Sequence, residues 1–427
     1  MLTRREFSRN LVAGGTALLV SGEAALAAPS QSATAQNPGE MCDLLIQGGT
    51  VVDPGQHLHG VLDVAVKDGK VLEVSKEFPA SRARRIFSAK ERIVTPGLID
   101  MHVHCFDGVS TGINADHYSV NRGVTTVVDA GSTGYPMIGT FLKHIAEPSV
   151  TRIYAMVEIG PIGTMLIGQS KYMYDTNWGI DPELTAKAAF DHKPRVVGIK
   201  VHLSSEFYSN PAEMEPFLLA KALQAAELSR LPLMVHIINA YTPLPDILKK
   251  MRKGDIFTHV YNSYPNNVLD ANGKVLPQVR EARERGIVFD VAEDLRCLSF
   301  EVTEKCLQQD FLPDTISTDL NKFVVDTHVF DLPTMVSKFM ALGLNLDQAI
   351  ERVTSKPAQV FDYGLPLGSL RPGSVADVSI FEIREGKFEF VDSRGPNSGP
   401  IGRRIGNQKL VSHATLCRGE LLVNASS

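Results

Sequence analysis

Residues 97–104 read GLIDMHVH, an apolar run entered through a glycine and ending on two histidines spaced by one residue. A run of this kind reads as a strand covered on both faces, as strands of a parallel sheet are. Seven comparable stretches follow: GVTTVVDAG from 123, RIYAMVEIG from 152, VVGIKVHLS from 196, LPLMVHI from 231, IFTHVY from 256, IVFDVAE from 287 and TISTDL from 315. Amphipathic segments at helical spacing lie between or after them, among them PAEMEPFLLAKALQAAELSR (211–230) and LPTMVSKFMALGLNLDQAIERVT (332–354). Eight strands alternating with helices or loops predict an α/β fold, a (β/α)8 TIM barrel over residues 95–362.

Outside that span the text changes. DLLIQGGTVVD, LDVAVKDGKVLEV and RIVTPG before the barrel, and GSLRPGSVADVSIFEI after it, are short apolar stretches broken by Gly, Asp and Pro turns, a β-meander pattern. Residues 41–94 and 363–427 are expected to pack together as one small β-sandwich.

The N-terminus has a third character. MLTRREFSRN is basic, LVAGGTALLV is a short apolar region, and Ala25–Ala27 offers an Ala-x-Ala cleavage site. Thr3-Arg4-Arg5-Glu6-Phe7 resembles a twin-arginine export signal. Residues 1–27 are read as a signal peptide and 28–40 as a tether, which implies a periplasmic or secreted protein folded before export. Changing Arg4 and Arg5 together to Lys should leave the precursor in the cytoplasm; unchanged periplasmic accumulation on cell fractionation would rule out the twin-arginine route.

The composition is that of an ordinary globular protein: 427 residues, 44% apolar and 21% charged. A formal net charge of −5 gives no electrostatic reason to expect nucleic acid. No apolar run reaches the length of a mature membrane span, so no stable membrane anchoring is expected. The five cysteines are scattered without a CxxC pair, which supports neither a disulfide framework nor a thiolate zinc site. A homo-oligomer is compatible with this composition, which fixes no oligomeric state.

In barrel enzymes the chemistry sits at the C-terminal ends of the strands. Here those ends carry His102 and His104 on strand one, Lys200 on strand four, His236 on strand five, His259 on strand six and Asp319 on strand eight. Residues two apart on a strand point the same way, so His102 and His104 face one site. Lys200 stands out because an ammonium inside a β-branched run is costly unless it is paired or neutral. A lone barrel histidine is commonly a structural hydrogen-bonder; six polar residues at the same ends of five predicted strands point to a site.

The order His-x-His, Lys, His, His, Asp on strands one, four, five, six and eight resembles the binuclear amidohydrolase superfamily. RGVTTVVDAGS, VGIKV, LPDTISTDL and DLPTMVSKFMALG resemble its deacetylase-type, dihydroorotase-like metallohydrolases. The resemblance implies a small-molecule substrate and two divalent metal ions, with zinc the best match to imidazole and carboxylate donors. It implies that Lys200 is carboxylated and bridges the metals, that His102, His104 and Asp319 hold one and His236 and His259 the other. It further implies that a metal-bridging hydroxide cleaves an amide or ester of a small acylated acid, with Asp319 carrying the proton. The alternative is a cyclic amide hydrolase of the hydantoinase or dihydroorotase kind; a catalytically silent scaffold would be expected to have lost ligands, and none is missing.

On the substrate side the chain departs from those relatives. Dihydroorotases generally carry Arg two positions after the second histidine of the pair, where this chain has Phe106. The deacetylase relatives carry a Gly-His-Gly-like turn after strand seven, where this chain has Glu293 and Asp294. Asn321 stands where those relatives usually have His, and His202 follows the lysine by two residues. Arg296, His202 and Asn321 are therefore substrate-binding candidates. Arg296 has two readings: an ion pair within its own loop with Glu293 or Asp294, or a clamp on a substrate carboxylate.

Overall fold

The computed structural model describes residues 40–109, 111–167, 179–325, 327, 329–394 and 401–423. The expected export signal and nearly all of the expected tether lie outside them. Met41–Ser427 form one compact unit.

Five strands open the unit: β1 (Leu44–Asp53), β2 (Leu58–Lys67), β3 (Lys70–Ser75), β4 (Ile86–Ser88) and β5 (Ile93–Pro96). Three close it: β13 (Val378–Val391), β14 (Arg403–Cys417) and β15 (Glu420–Val423). All eight join one sheet in the order β15-β14-β13-β5-β1-β2-β3, with β4 also on β1. The seam between the two chain ends is the antiparallel pair of β13 with β5 (Val378 opposite Pro96, Ile380 opposite Val94). Val51, Val64, Val94, Val378, Ile380 and Leu416 share one apolar core, so neither end buries its face without the other. The N-terminal part is not a simple meander: β4 and β5 both pair parallel to β1.

Seven parallel strands form the second sheet: β6 (Leu98–Val103), β7 (Val124–Asp129), β8 (Arg152–Glu158), β9 (Val196–Leu203), β10 (Leu233–Ile237), β11 (Ile256–Thr258) and β12 (Val288–Asp290). The expected eighth strand, TISTDL, is present as isolated bridges, Thr315 to Asp290 on one side and Leu320 to Val103 on the other, which close the barrel. Ile99, Met101, Val128, Tyr154, Met156, Met234 and Ile256 from successive strands fill the interior, and Phe361 and Tyr363 pack beneath them. The second long amphipathic segment is two helices, Leu332–Ala341 and Leu346–Glu351. Gly343 at φ +113° lies between them, and Asn345 starts the second with a capping box.

Candidate metal centre and active-site cavity

The register of β6 against β7 shifts between Asp100 and Val103. Such a shift turns the strand locally, and above it His102 and His104 both address Asp319. Nε2 of His102 lies 3.5 Å and Nε2 of His104 3.3 Å from Asp319 Oδ1. Ligand atoms of these three buried residues all lie within 4.8 Å of one another. Nε2 of His259 is 3.7 Å from Asp319 Oδ2 and 2.8 Å from His236 Nδ1. Nζ of Lys200 is 3.2 Å from His102 Nε2. The six candidate ligands, contributed by five different strand ends, thus form one contiguous cluster in which His102, His104 and Asp319 share a single point.

The hydrogen-bond network behind them assigns the tautomers. The Thr258 hydroxyl donates to Asp290 Oδ2 (2.9 Å), so it accepts from His102 Nδ1 (3.0 Å). The Ser132 hydroxyl donates to Asp129 Oδ2 (2.7 Å), so it accepts from His104 Nδ1 (3.1 Å). His259 Nδ1 donates to the Ala292 carbonyl (2.8 Å). In all three rings the proton sits on the outer nitrogen and the Nε2 lone pair faces inward, as metal-ligating histidines require. Burial holds the imidazoles neutral: His102 and His236 lie well below the usual histidine range and His259 is lowered to about 4.

Two further observations fit a bound cation. Asp319 Oδ1 is buried without a hydrogen-bond donor, and several lone pairs point at the same space. His259 and Asp319 also adopt left-handed backbone, φ +68° and +55°, unusual for non-glycine residues and concentrated at functional sites. His102, His104, His236, His259, Asp319 and Lys200 could together hold divalent metal.

Lys200 lies fully buried above Met234, whose Sδ is 3.4 Å from Nζ. Burial pulls its pKa below the ordinary lysine value. Room for its stem depends on Gly131, at φ +90°: a Cβ there would meet Lys200 Cγ at 2.9 Å.

A cavity of about 540 Å³ opens over the cluster, with His104, His236 and Asp319 among its lining residues. His202 lines it too. Its Nδ1 is 2.9 Å from Glu158 Oε2, and its ring centroid lies 4.7 Å from that of His236. Asn321 also lines the cavity, but its amide donates to Asp294 Oδ1 (2.8 Å) and to the Asp319 carbonyl (2.9 Å), bracing both. Burial, then the nearby Asp319 charge, raises the Asp294 carboxyl to about 6. Phe106 points away from the cluster, edge-on against Phe141 with centroids 5.4 Å apart.

Of the two readings of Arg296, the pairing within its own loop does not form. Glu293 is fully buried and holds Lys338 Nζ at 2.6 and 2.8 Å. Positive φ at Ala292 (+45°) and Asp294 (+39°) makes successive side chains diverge. Arg296 instead reaches across the cavity mouth, Nη1 to Glu206 Oε2 at 3.3 Å, with the arginine side chain 43% exposed.

Sequence reasoning missed the carboxylates and hydroxyls behind the ligands: Asp129, Glu158 and Asp290, with Ser132 and Thr258. The signal was available. Each carboxylate closes an apolar strand (VVD, MVE, VFD), a charge at the edge of a buried run as Lys200 is within one.

A parallel barrel bearing inward-facing histidines, a lysine and an aspartate at its strand ends defines a metallohydrolase-type site. A profile of the amidohydrolase family matches residues 93–398. The chain is 31% identical over 386 residues to a deacetylase of Enterococcus faecalis, covering 90% of this chain and 99% of that protein. Among solved structures, an adenine deaminase aligns with TM-score 0.81 and 30% identity, covering 90% of this chain and all of that one. A dihydroorotase aligns with TM-score 0.76 and 26% identity, covering 89% and 97%. The chain belongs to the amidohydrolase family, and the family relationship makes it a hydrolase acting on carbon–nitrogen bonds. Among the described residues, no helix is long and apolar enough to cross a membrane.

Proposed function

We propose that the protein is a metal-dependent hydrolase that cleaves the amide or ester bond of a small acylated acid. The observation that carries this reading is the convergence of inward Nε2 lone pairs on an orphaned Asp319 oxygen beneath a cavity whose mouth bears Arg296. When bound, a divalent pair, best matched by zinc, would polarise the carbonyl and lower the pKa of the attacking water. Carboxylated Lys200 would be shared between the ions, with His102, His104 and Asp319 on one and His236 and His259 on the other. Asp319 Oδ1 takes the water proton and returns it to the leaving nitrogen or oxygen. The Thr258–Asp290 and Ser132–Asp129 pairs keep His102 and His104 in the ligating tautomer throughout.

The test is metal analysis of the purified protein alongside hydrolysis of N-acetyl amino acids, acyl esters and cyclic imides. Turnover confined to the cyclic imides would favour the ring-opening alternative, which the likeness to a dihydroorotase keeps in view. Absence of metal together with absence of turnover would sink both.

Arg296 is proposed to bind the carboxylate of the acid. One Nη1 donor is engaged by Glu206, which leaves the rest of the guanidinium fork for an anion. Arg296→Ala should cost about 2 kcal/mol in kcat/KM on N-acetyl acids, roughly 30-fold, and leave neutral esters nearly unchanged. Glu206→Gln should improve the acids, since it removes a like charge beside them. Equal losses on both substrate types for Arg296→Ala would return it to a surface ion pair.

A further inference from the structure

The cavity wall after β12 is the hexapeptide Glu293–Leu298, which carries Asp294 and Arg296 at its centre. Both ends of this segment meet the same hydroxyl. Ser393 Oγ donates to the Glu293 carbonyl at 2.8 Å and accepts from the Leu298 amide at 3.1 Å. Its neighbour Asp392 takes the next free amide, Phe300 N, at 2.9 Å through Oδ2. Asp392 is itself fixed, because Oδ1 accepts from Gly402 N at 2.7 Å and its backbone amide donates to the Gly402 carbonyl at 3.1 Å. Ser393 is 3% exposed and Asp392 1%, so water does not replace either bond.

These two residues do not belong to the barrel. They follow β13, which begins against β5 in the terminal sheet and runs 14 residues, about 46 Å at strand rise, toward the cavity mouth. We propose that Ser393, backed by Asp392, is a positioning element for substrate selection: one hydroxyl closes the Glu293–Leu298 segment into a loop of fixed shape and so sets where Asp294 and Arg296 stand over the metal cluster. The buried Glu293–Lys338 pair anchors the loop's first residue from the helix side and Cys297 N donates to the Glu293 carbonyl at 3.2 Å within the loop, while Ser393 is the side chain that ties first residue to last. Positive φ at Asp294, and at Ala292 just before the segment, makes this necessary: left-handed backbone at non-glycine residues persists only where the surroundings hold it.

Ser393 touches no substrate in this account. It acts through the loop, and the consequence for selectivity rests on the acyl-acid reading above, whereas the loop closure does not. The experiment therefore has two arms, each run on the full-length enzyme, on Ser393→Ala and on Ser393→Thr, which keeps the hydroxyl. Hydrogen exchange read on residues 292–300 should accelerate about tenfold in Ser393→Ala, as expected for loss of one buried hydrogen bond to an amide. Exchange over β9 and the metal content should stay at wild-type values, and Ser393→Thr should restore slow exchange. In the kinetic arm, KM for the best N-acetyl amino acid should rise about tenfold in Ser393→Ala with kcat within about twofold, and p-nitrophenyl acetate should be cleaved as by the wild type. Unchanged exchange in Ser393→Ala overturns the proposal. So does faster exchange with unaltered KM, or a fall in kcat on both substrates, either of which makes the bond purely structural. If the wild type cleaves none of these compounds, the acyl-acid reading fails by itself, and the exchange arm still decides whether Ser393 closes the loop.

Discussion

Lys200→Ala should bind at most one metal per chain and lose about 10³-fold or more in kcat/KM, roughly 4 kcal/mol of transition-state stabilisation. The lysine is fully buried within β9, 3.2 Å from His102 Nε2 and against Met234. Burial lowers its pKa, and only the neutral amine can attack carbon dioxide to give a carbamate and a proton. Removing the side chain leaves a void in a barrel that stays closed by backbone pairing, so circular dichroism should be that of the wild type. Short carboxylic acids should partly restore metal and activity, because they would return an anionic bridge to the space the proposed carbamate would fill. The bridging role also predicts that protein purified without carbon dioxide reloads metal faster when bicarbonate is added. A Lys200→Ala protein that keeps two metals and wild-type turnover would end the binuclear reading.

Asp319→Asn should lower kcat by about 10²- to 10⁴-fold, the usual range for loss of a general acid–base group. The substitution preserves shape but replaces an oxygen that can carry a proton by an amide that cannot. It also meets inward Nε2 lone pairs on His102, His104 and His259, so the new amide will turn its nitrogen toward them. Metal content therefore has to be measured beside turnover. A metal-replete Asp319→Asn with near-normal kcat would reduce Asp319 to a ligand and nothing more.

The barrel and the clustering of the candidate ligands were legible because they obey local rules. Strand ends in a parallel barrel share one rim, so a list of polar residues closing apolar runs is already a list of neighbours. Lys200 announced itself by the cost of burying an amine. The same cost applies to Asp129, Glu158 and Asp290, which went unread because an acidic residue at a strand end looks like a turn-former when taken alone. The partner of Arg296 was not legible for a different reason. Sequence proximity suggested Glu293 and Asp294, but left-handed backbone at Ala292 and Asp294 sends those side chains elsewhere, and Glu206 lies 90 residues away along the chain. The role of residues 392 and 393 needed the third dimension altogether, since nothing in the text ties the end of a terminal strand to a barrel loop.

The final stave of the barrel is the thinnest. Residues 315–320 are joined to their neighbours by isolated bridges, and much of the stitching is done by carboxylates rather than by a ladder. Asp290 receives the hydroxyls of Thr315 and Ser317, and Asp100 receives the hydroxyl and amide of Thr318. Asp290 at the same time orients His102 through Thr258, and the Asp319 amide hooks the His102 carbonyl at 2.8 Å. Closure of the cylinder and alignment of the ligands therefore draw on the same atoms. A substitution at Asp290 should therefore cost twice, once in folding and once in the alignment of His102. The 293–298 wall is tied differently: beside its barrel contacts at Glu293 and Asp294, its last residue is moored by Ser393, which follows a strand of the other sheet, so a change at that mooring leaves the barrel closure untouched.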